Sequence, residues 1–235
     1  MKAFLLTAGT ATRLRPLTDS IPKCLLPVNG VPLLEIWVET FNKYGISEVM
    51  MNYHHLPEQV ERYFDGSTIG KSVRKVYESK LLGTAGTVFS LRKFVENEKY
   101  FFIVYGDNLT NMDLSRMLDF HKRSKSIFTM GLFRSTRPKE CGIVELDKEN
   151  GVISFTEKPD NPASNLANAG IYIAGHELFD LIRYDSGRMM DFGYHVLPRL
   201  AGKMTGYIIE EYFIDIGTKE NYERANREWG TLGEI

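Results

Sequence analysis

The chain has 235 residues, enough for one large α/β domain or one domain with a small appendage. At 43% hydrophobic and 25% charged residues it lies outside the composition of disordered chains, and a formal net charge of -1 excludes a general attraction to nucleic acid or anionic membrane. Cys24 and Cys141 are too few for a disulfide framework, and they read as reduced thiols of a cytoplasmic protein.

The N-terminal run MKAFLL is too short for a signal peptide core, and no stretch reaches the length of a membrane span. Ala3 to Leu6 reads as a buried strand, followed by a loop rich in Thr, Gly and Arg. Pro32 to Tyr44 has a helical apolar face and stops at Gly45. SEVMMNY is a second strand, Pro57 to Phe64 a short helix and VRKVY a third strand. A glycine loop, LLGTAG, then leads into a helix reaching about Val95. YFFIVYGD reads as an apolar strand ending at Asp107, and Asp113 as a helix N-cap. This alternation predicts a mainly parallel sheet covered on both faces.

The second half changes character. IFTMGLFR, GIVELD, VISFTEKP and AGIYIAG are strand-like runs separated by turn residues, which predicts an antiparallel extension. Helical patches follow near His176 to Ile182 and Asp191 to Leu200, then a strand YFIDIG and a capped helix from about Thr218. There is no internal repeat and no linker. We expect a single domain of two halves, over about 1–112 and about 113–235.

The segment LLTAGTATRLRPLTDSIPKCLLPV carries the strongest chemical signal. Small residues, Ala8-Gly9-Thr10-Ala11-Thr12, directly after a strand let backbone N–H groups approach a phosphate. Arg13 can hold phosphate oxygens in a bidentate fork, and Lys23 adds a point charge. Pro16, Pro22 and Pro27 stiffen the loop. No GK[ST] follows, so it is not a Walker A loop, and the dinucleotide-binding fingerprint is absent as well.

Two aspartates, Asp107 and Asp215, each end a short apolar run; converging, they would form a two-carboxylate site for Mg²⁺, and apart they would be turn residues. Glu157 and Lys158 follow the strand VISFT, as a ligand pair or as an exposed hairpin end. His54 and His55 have no suitably spaced third ligand and read as loop or core histidines. Phe101, Phe102, Tyr105, Met50 and Met51 read as core.

The string LLTAGTATRLRPLT…PKCLLPV resembles the signature of the sugar-nucleotide pyrophosphorylases, and the resemblance continues in order through LGTAG, YGD, EKP, NAGIY and FIDIGT. It is most similar to the mannose-1-phosphate guanylyltransferase group, in a short form without a left-handed β-helix domain. The resemblance implies a Rossmann-like α/β/α sandwich with a mixed, mostly parallel central sheet and a small antiparallel sugar-binding lobe. It implies the reaction of a nucleoside triphosphate with a sugar 1-phosphate to give a nucleotide sugar and pyrophosphate, with GTP and mannose 1-phosphate or a related sugar as the pair. UTP, dTTP or CTP with another sugar phosphate, and a non-catalytic nucleotide-sugar-binding subunit, stay open as alternatives.

Arg13, Lys23 and Asp107 are the implied catalytic residues. The implied nucleotide site comprises Thr7, Ala8, Gly9, Thr10, Ala11, Thr12, Arg13, Lys23, Gly83 and Asp107. The sugar phosphate falls to Gly142, Glu157, Lys158 and Asn168, and Mg²⁺ to Asp107 and Asp215. Neither nucleic acid nor membrane is an expected partner, and self-association is left open. Ala8 and Ala11 stand where the usual loop has glycine. An alanine keeps its N–H, and if Ala11 sits at positive φ a strain of order 1 kcal/mol is expected.

Overall fold

The computed structural model describes residues 1–67, 69 and 72–232. Strand β1 (Lys2–Leu6) buries Ala3, Phe4 and Leu5 completely. The loop after it is built from single turns: a 3₁₀ turn at Thr12–Leu14, α1 (Leu17–Ser20) and a second 3₁₀ turn at Lys23–Leu25. A hairpin follows, β2 (Pro27–Val28) with β3 (Val31–Pro32), closed by Asn29 and Gly30, both at positive φ as this tight turn requires. Helix α2 (Leu33–Lys43) buries Ile36, Trp37, Thr40 and Phe41, and the chain leaves it through Gly45 at φ 71°. Strand β4 (Glu48–Tyr53), helix α3 (Pro57–Asp65) and strand β5 (Val73–Tyr77) come next.

Helix α4 (Thr84–Ser90) continues as a 3₁₀ turn at Arg92–Val95, close to the expected helix end. Strand β6 (Tyr100–Tyr105) stops two residues short of Asp107, which sits in a turn before the short strand β7 (Asn108–Thr110). Asp113 caps α5 (Leu114–Ser124) as expected, its carboxylate accepting from Ser115 N at 2.8 Å and Arg116 N at 3.2 Å. Strands β8 (Phe128–Arg134), β9 (Gly142–Leu146), β10 (Val152–Glu157) and β11 (Leu166–Gly175) form the antiparallel extension.

Helix α6 is Glu177–Leu181. The patch expected as one helix from Asp191 is a π-turn at Phe192–Val196 running into α7 (Leu197–Leu200), with Asp191 just ahead of it. Strand β12 (Thr205–Ile208) had no counterpart in the sequence reading; it pairs parallel to β8. Strand β13 (Phe213–Asp215) and helix α8 (Lys219–Trp229) follow, Thr218 Oγ1 capping α8 through Asn221 N at 3.2 Å.

The chain divides into two compact units that interleave along the sequence: Met1–Leu81, Val104–Asn111 and the chain from Glu211 in unit one; Leu82–Ile103 and Met112–Glu210 in unit two. In unit one, β1, β4 and β5 pair in parallel, Leu5 opposite Met51 and Met51 opposite Lys75. Its core gathers Phe4, Trp37, Phe41, Met51 and Val60. Unit one also holds the antiparallel pair β7–β13, in which Asp215 faces Asn108. In unit two, β10, β9, β11, β8 and β12 lie side by side, and Phe128, Tyr172 and Phe192 pack ring against ring in the core. Among the described residues no helix is long and apolar enough to cross a membrane.

Candidate active site

The loop after β1 is tied at its first residue to the end of β4. Thr7 N donates to Asn52 Oδ1 at 2.8 Å, and Thr7 Oγ1 donates to Asn52 O. Asn52 is itself anchored by donating to Glu78 Oε1 at 2.9 Å. Ala11 lies in the left-handed region at φ 48°, ψ 40°, so the strain expected for alanine there is present. Two bonds to its carbonyl lock it: Leu14 N at 3.0 Å and Thr18 Oγ1 at 2.9 Å. Ala8 is buried and avoids that region. Thr10 is exposed, and Gly9 has open space where a side chain would be.

A cavity of about 270 Å³ opens over this loop within unit one. Its walls include Thr7, Gly9, Ala11, Thr12, Arg13 and Lys23, together with Asp107, Gly106 and Gly217. Gly106 is required by close approach, since a Cβ there would collide with Thr7 Cγ2. Cys24 also reaches the wall; burial pushes its thiol up to about 12, so it stays protonated and is no nucleophile.

The β7–β13 register sets the two aspartates on neighbouring backbone. Asp215 is opposite Asn108, and Ile216 N donates to Asp107 O at 3.0 Å. Asp107 Oδ2 accepts from Lys23 Nζ at 2.6 Å, and the Lys23 side chain is only 10% exposed. Burial opposes the charge on Asp107, but the Lys23 ammonium, with Arg13 beyond it, overrides this and holds its pKa below the ordinary carboxylate value. Asp215 shifts the other way: burial first, then the charge of Asp107, push its pKa up, and Lys23 offsets only part of this. Asp215 Oδ1 accepts from Gly217 N at 2.6 Å. The Arg13 guanidinium lies over Gly217, where a Cβ would be 3.0 Å from its Nη2.

Unit two carries the remaining expected residues. Glu157 pairs with Gly142 across β9–β10, and its carboxylate lies against Gly142 and Gly193, where side chains would clash with it. Burial pushes its pKa up; the neighbouring Lys158 lowers it and Asp191 raises it further. Lys158 is exposed at φ 47°, a left-handed backbone directly before Pro159, and its N–H donates to Cys141 O at 3.0 Å. Asn168 sits where the β8–β11 register shifts; its amide donates to Tyr172 Oη at 2.8 Å and accepts from Gly170 N at 2.9 Å. Gly83, at φ 76°, lies against the Met190 carbonyl, which caps α4 by accepting from Ala85 N and Gly86 N at 2.9 and 2.8 Å.

Gly106, Gly193, Gly217 and Asp191 were missed as site residues, although YGD and FIDIGT carry two of those glycines. Asp191 Oδ1 accepts from Thr84 N at 3.1 Å, a contact over 107 positions that no local pattern announces. His54 and His55 bind the backbone carbonyls of Glu78 and Thr18, as loop histidines should.

Residues 2–231 match the family described as "Nucleotidyl transferase". Over 229 residues the chain is 34% identical to mannose-1-phosphate guanylyltransferase of Mycobacterium tuberculosis, covering 95% of this chain and 63% of that protein's length. It is 32% identical to D-glycero-alpha-D-manno-heptose 1-phosphate guanylyltransferase of Campylobacter jejuni, covering 94% of this chain and 97% of that one. A crystal structure from Bacillus anthracis, provisionally assigned as a glucose-1-phosphate thymidylyltransferase, superposes with a TM-score of 0.87 at 25% identity, over 100% of this chain and 97% of that chain. The fold is thus the mixed-sheet, Rossmann-like α/β architecture of these proteins.

Proposed function

The chain belongs to the nucleotidyl transferase family, and from that premise we propose that it transfers a guanylyl group from GTP to mannose 1-phosphate or a related sugar 1-phosphate, releasing pyrophosphate. The single observation that carries the reading is the unit-one cavity, where a small-residue loop, Arg13, Lys23 and Asp107 line one space. Guanylyl transfer in two relatives supports the choice of base. A regulatory subunit would be expected to have lost these groups, and all are present. Two free cysteines agree with a cytoplasmic setting.

The chemistry sets the demand. A sugar phosphate of about two negative charges must approach a triphosphate of about four, and each like-charge pair at 4 Å costs about 4 kcal/mol at an effective dielectric of 20. Loop N–H groups, Arg13 and Lys23 bind and orient the triphosphate. Gly83 leaves no room for the base on the side where a Cβ would be, because the Met190 carbonyl stands there; it serves the entry of α4. In unit two, Lys158 takes the sugar phosphate charge, while Glu157, Gly142 and Asn168 receive the sugar. The ionised phosphate oxygen of the sugar attacks the α-phosphorus, one P–O bond forms, and the bond to pyrophosphate breaks. No protein nucleophile or proton transfer is needed, and catalysis is positioning plus charge neutralisation.

The donor set fits Mg²⁺. Among the described residues no cluster of three or more His, Cys, Asp or Glu forms a protein cage. Asp107 and Asp215 are two hard-oxygen groups whose charges act on each other, and magnesium takes one or two carboxylates with the rest of its shell from water and phosphates. When bound, the ion would neutralise charge on the α-phosphate and the departing pyrophosphate. The test is a pyrophosphate-release screen of the common triphosphates against a panel of sugar 1-phosphates. GTP with mannose 1-phosphate should turn over fastest, and Asp107→Asn should abolish Mg²⁺-dependent release without unfolding the chain. A different preferred pair would overturn the substrate assignment, and unchanged turnover in Asp107→Asn the metal assignment.

A further inference from the structure

We infer that Lys23 is a latch on Asp107 which the nucleotide opens, so that divalent cation and triphosphate bind cooperatively; this rests on the metal and nucleotide assignments proposed above. Four formal charges act on one another at the unit-one cavity: Lys23, Arg13 and Asp107 line it, and Asp215 lies close enough to feel all three. They sum to zero, so a divalent cation arriving alone meets no net local attraction. It also finds one oxygen of each carboxylate engaged. Asp107 Oδ2 is held by Lys23 Nζ at 2.6 Å, and Asp215 Oδ1 by Gly217 N at 2.6 Å.

A triphosphate changes this balance. Lys23 is largely buried at the cavity wall, so its ammonium has two anionic partners within its short range, the Asp107 carboxylate and any phosphate on the loop. A phosphate of higher charge draws the ammonium off Asp107. The freed carboxylate then acts on the nearby Asp215 without its counterion, and a divalent cation relieves that repulsion. Each ligand therefore creates the other's site, and by linkage the coupling is reciprocal. Lys23 acts here through Asp107, as a positioning residue, in addition to its own contact with phosphate. The arrangement also keeps the carboxylate pair closed to stray cations in the absence of nucleotide.

The test uses the full chain without nucleotide, with Mn²⁺ as a paramagnetic probe read by electron spin resonance. Lys23→Gln should bind Mn²⁺ about tenfold more tightly than the unaltered chain, within the usual range of coupling between sites. Lys23→Arg, which retains the ion pair, should stay within about twofold. Arg13→Gln removes an equal charge that does not hold Asp107 and should give a much smaller rise. Equal rises in Lys23→Gln and Arg13→Gln would reduce the effect to bulk charge and overturn the latch, as would no rise in Lys23→Gln. The Lys23→Gln gain should vanish when Asp107→Asn is added. Were the gain to survive, the cation would lie elsewhere and the metal site itself would fall. Should Lys23→Gln not fold, Lys23→Met takes its place in the same comparison.

Discussion

Ala11 holds a backbone conformation that disfavours any residue with a Cβ by about 1–2 kcal/mol. Glycine would remove that strain but would add freedom to the unfolded chain, worth about 0.4–1 kcal/mol in the opposite direction. Ala11→Gly should therefore stabilise by roughly 0.5–1 kcal/mol and raise the melting temperature by about 2 °C, readable by calorimetry. A lower melting temperature would mean that the methyl group packs usefully against the loop. His121 offers a second test at this scale. It is 1% exposed, its Nδ1 bonds Thr129 Oγ1 at 2.7 Å, its Nε2 finds no partner among the described residues, and burial pushes its pKa down to about 4. In the unfolded chain the group titrates near 6.5. As pH falls from 6.5 to 4 the unfolded chain takes up a proton that the fold refuses, so stability is lost in that window and intact above it. The loss from this group approaches about 3 kcal/mol at pH 4. Urea unfolding at pH 7 and pH 4.5 should show the decline, and His121→Phe should reduce it. A His121→Phe chain with an undiminished decline would place the titration elsewhere.

Segments that pack against one another, rather than single strands or helices, govern the stability of the Gly83 region. The residue enters α4 at φ 76°, and a Cβ there would stand 2.6 Å from the Met190 carbonyl oxygen. That carbonyl caps two N–H groups of the first turn of α4, so any side chain at 83 adds strain and breaks both bonds. Gly83→Val should cost roughly 3 kcal/mol in denaturant unfolding, combining backbone strain with lost caps. A loss below about 1 kcal/mol would show that the Arg188–Gly193 segment can shift freely. The sequence revealed β1, β4, β6 and α2 through their apolar runs and β5 through its two valines and tyrosine, all close to their expected bounds. It revealed Asp113 and Thr218 because a cap is a local device, readable from a few neighbours. It did not reveal β12, since Thr205-Gly206-Tyr207-Ile208 is only four residues long and is interrupted by a glycine, too short a run to stand out until β8 pairs with it. Nor did it show the π-turn at Phe192–Val196, or the irregularity of β11 that engages the whole Asn168 amide.

At the scale of the whole molecule, what was legible was the list of charged groups, and what was not was their pairing. Lys23 and Asp107 are 84 positions apart, and only the folded loop and the β6–β7 turn bring them to 2.6 Å. The opposed shifts of Asp107 and Asp215 follow from which carboxylate Lys23 occupies, and no spacing in the sequence specifies that. The division into interleaved units was equally hidden, because the chain passes from unit two into unit one inside β6 and returns after β7. That division separates the proposed ligands: the groups assigned to triphosphate charge lie in unit one and Lys158 in unit two. Truncating Lys158 should therefore affect one substrate only. A charge-assisted hydrogen bond to phosphate contributes about 1.5–3 kcal/mol, so Lys158→Ala should weaken sugar 1-phosphate binding by about 10- to 100-fold. Alanine meets the same left-handed backbone as lysine, and the side chain is exposed, so stability should stay within about 0.5 kcal/mol. Calorimetric titration of each substrate separately reads the difference, with triphosphate affinity expected to change less than about twofold. Matching losses for both substrates would show that Lys158 acts on the fold of the site as a whole, and would remove it from the sugar-phosphate pocket.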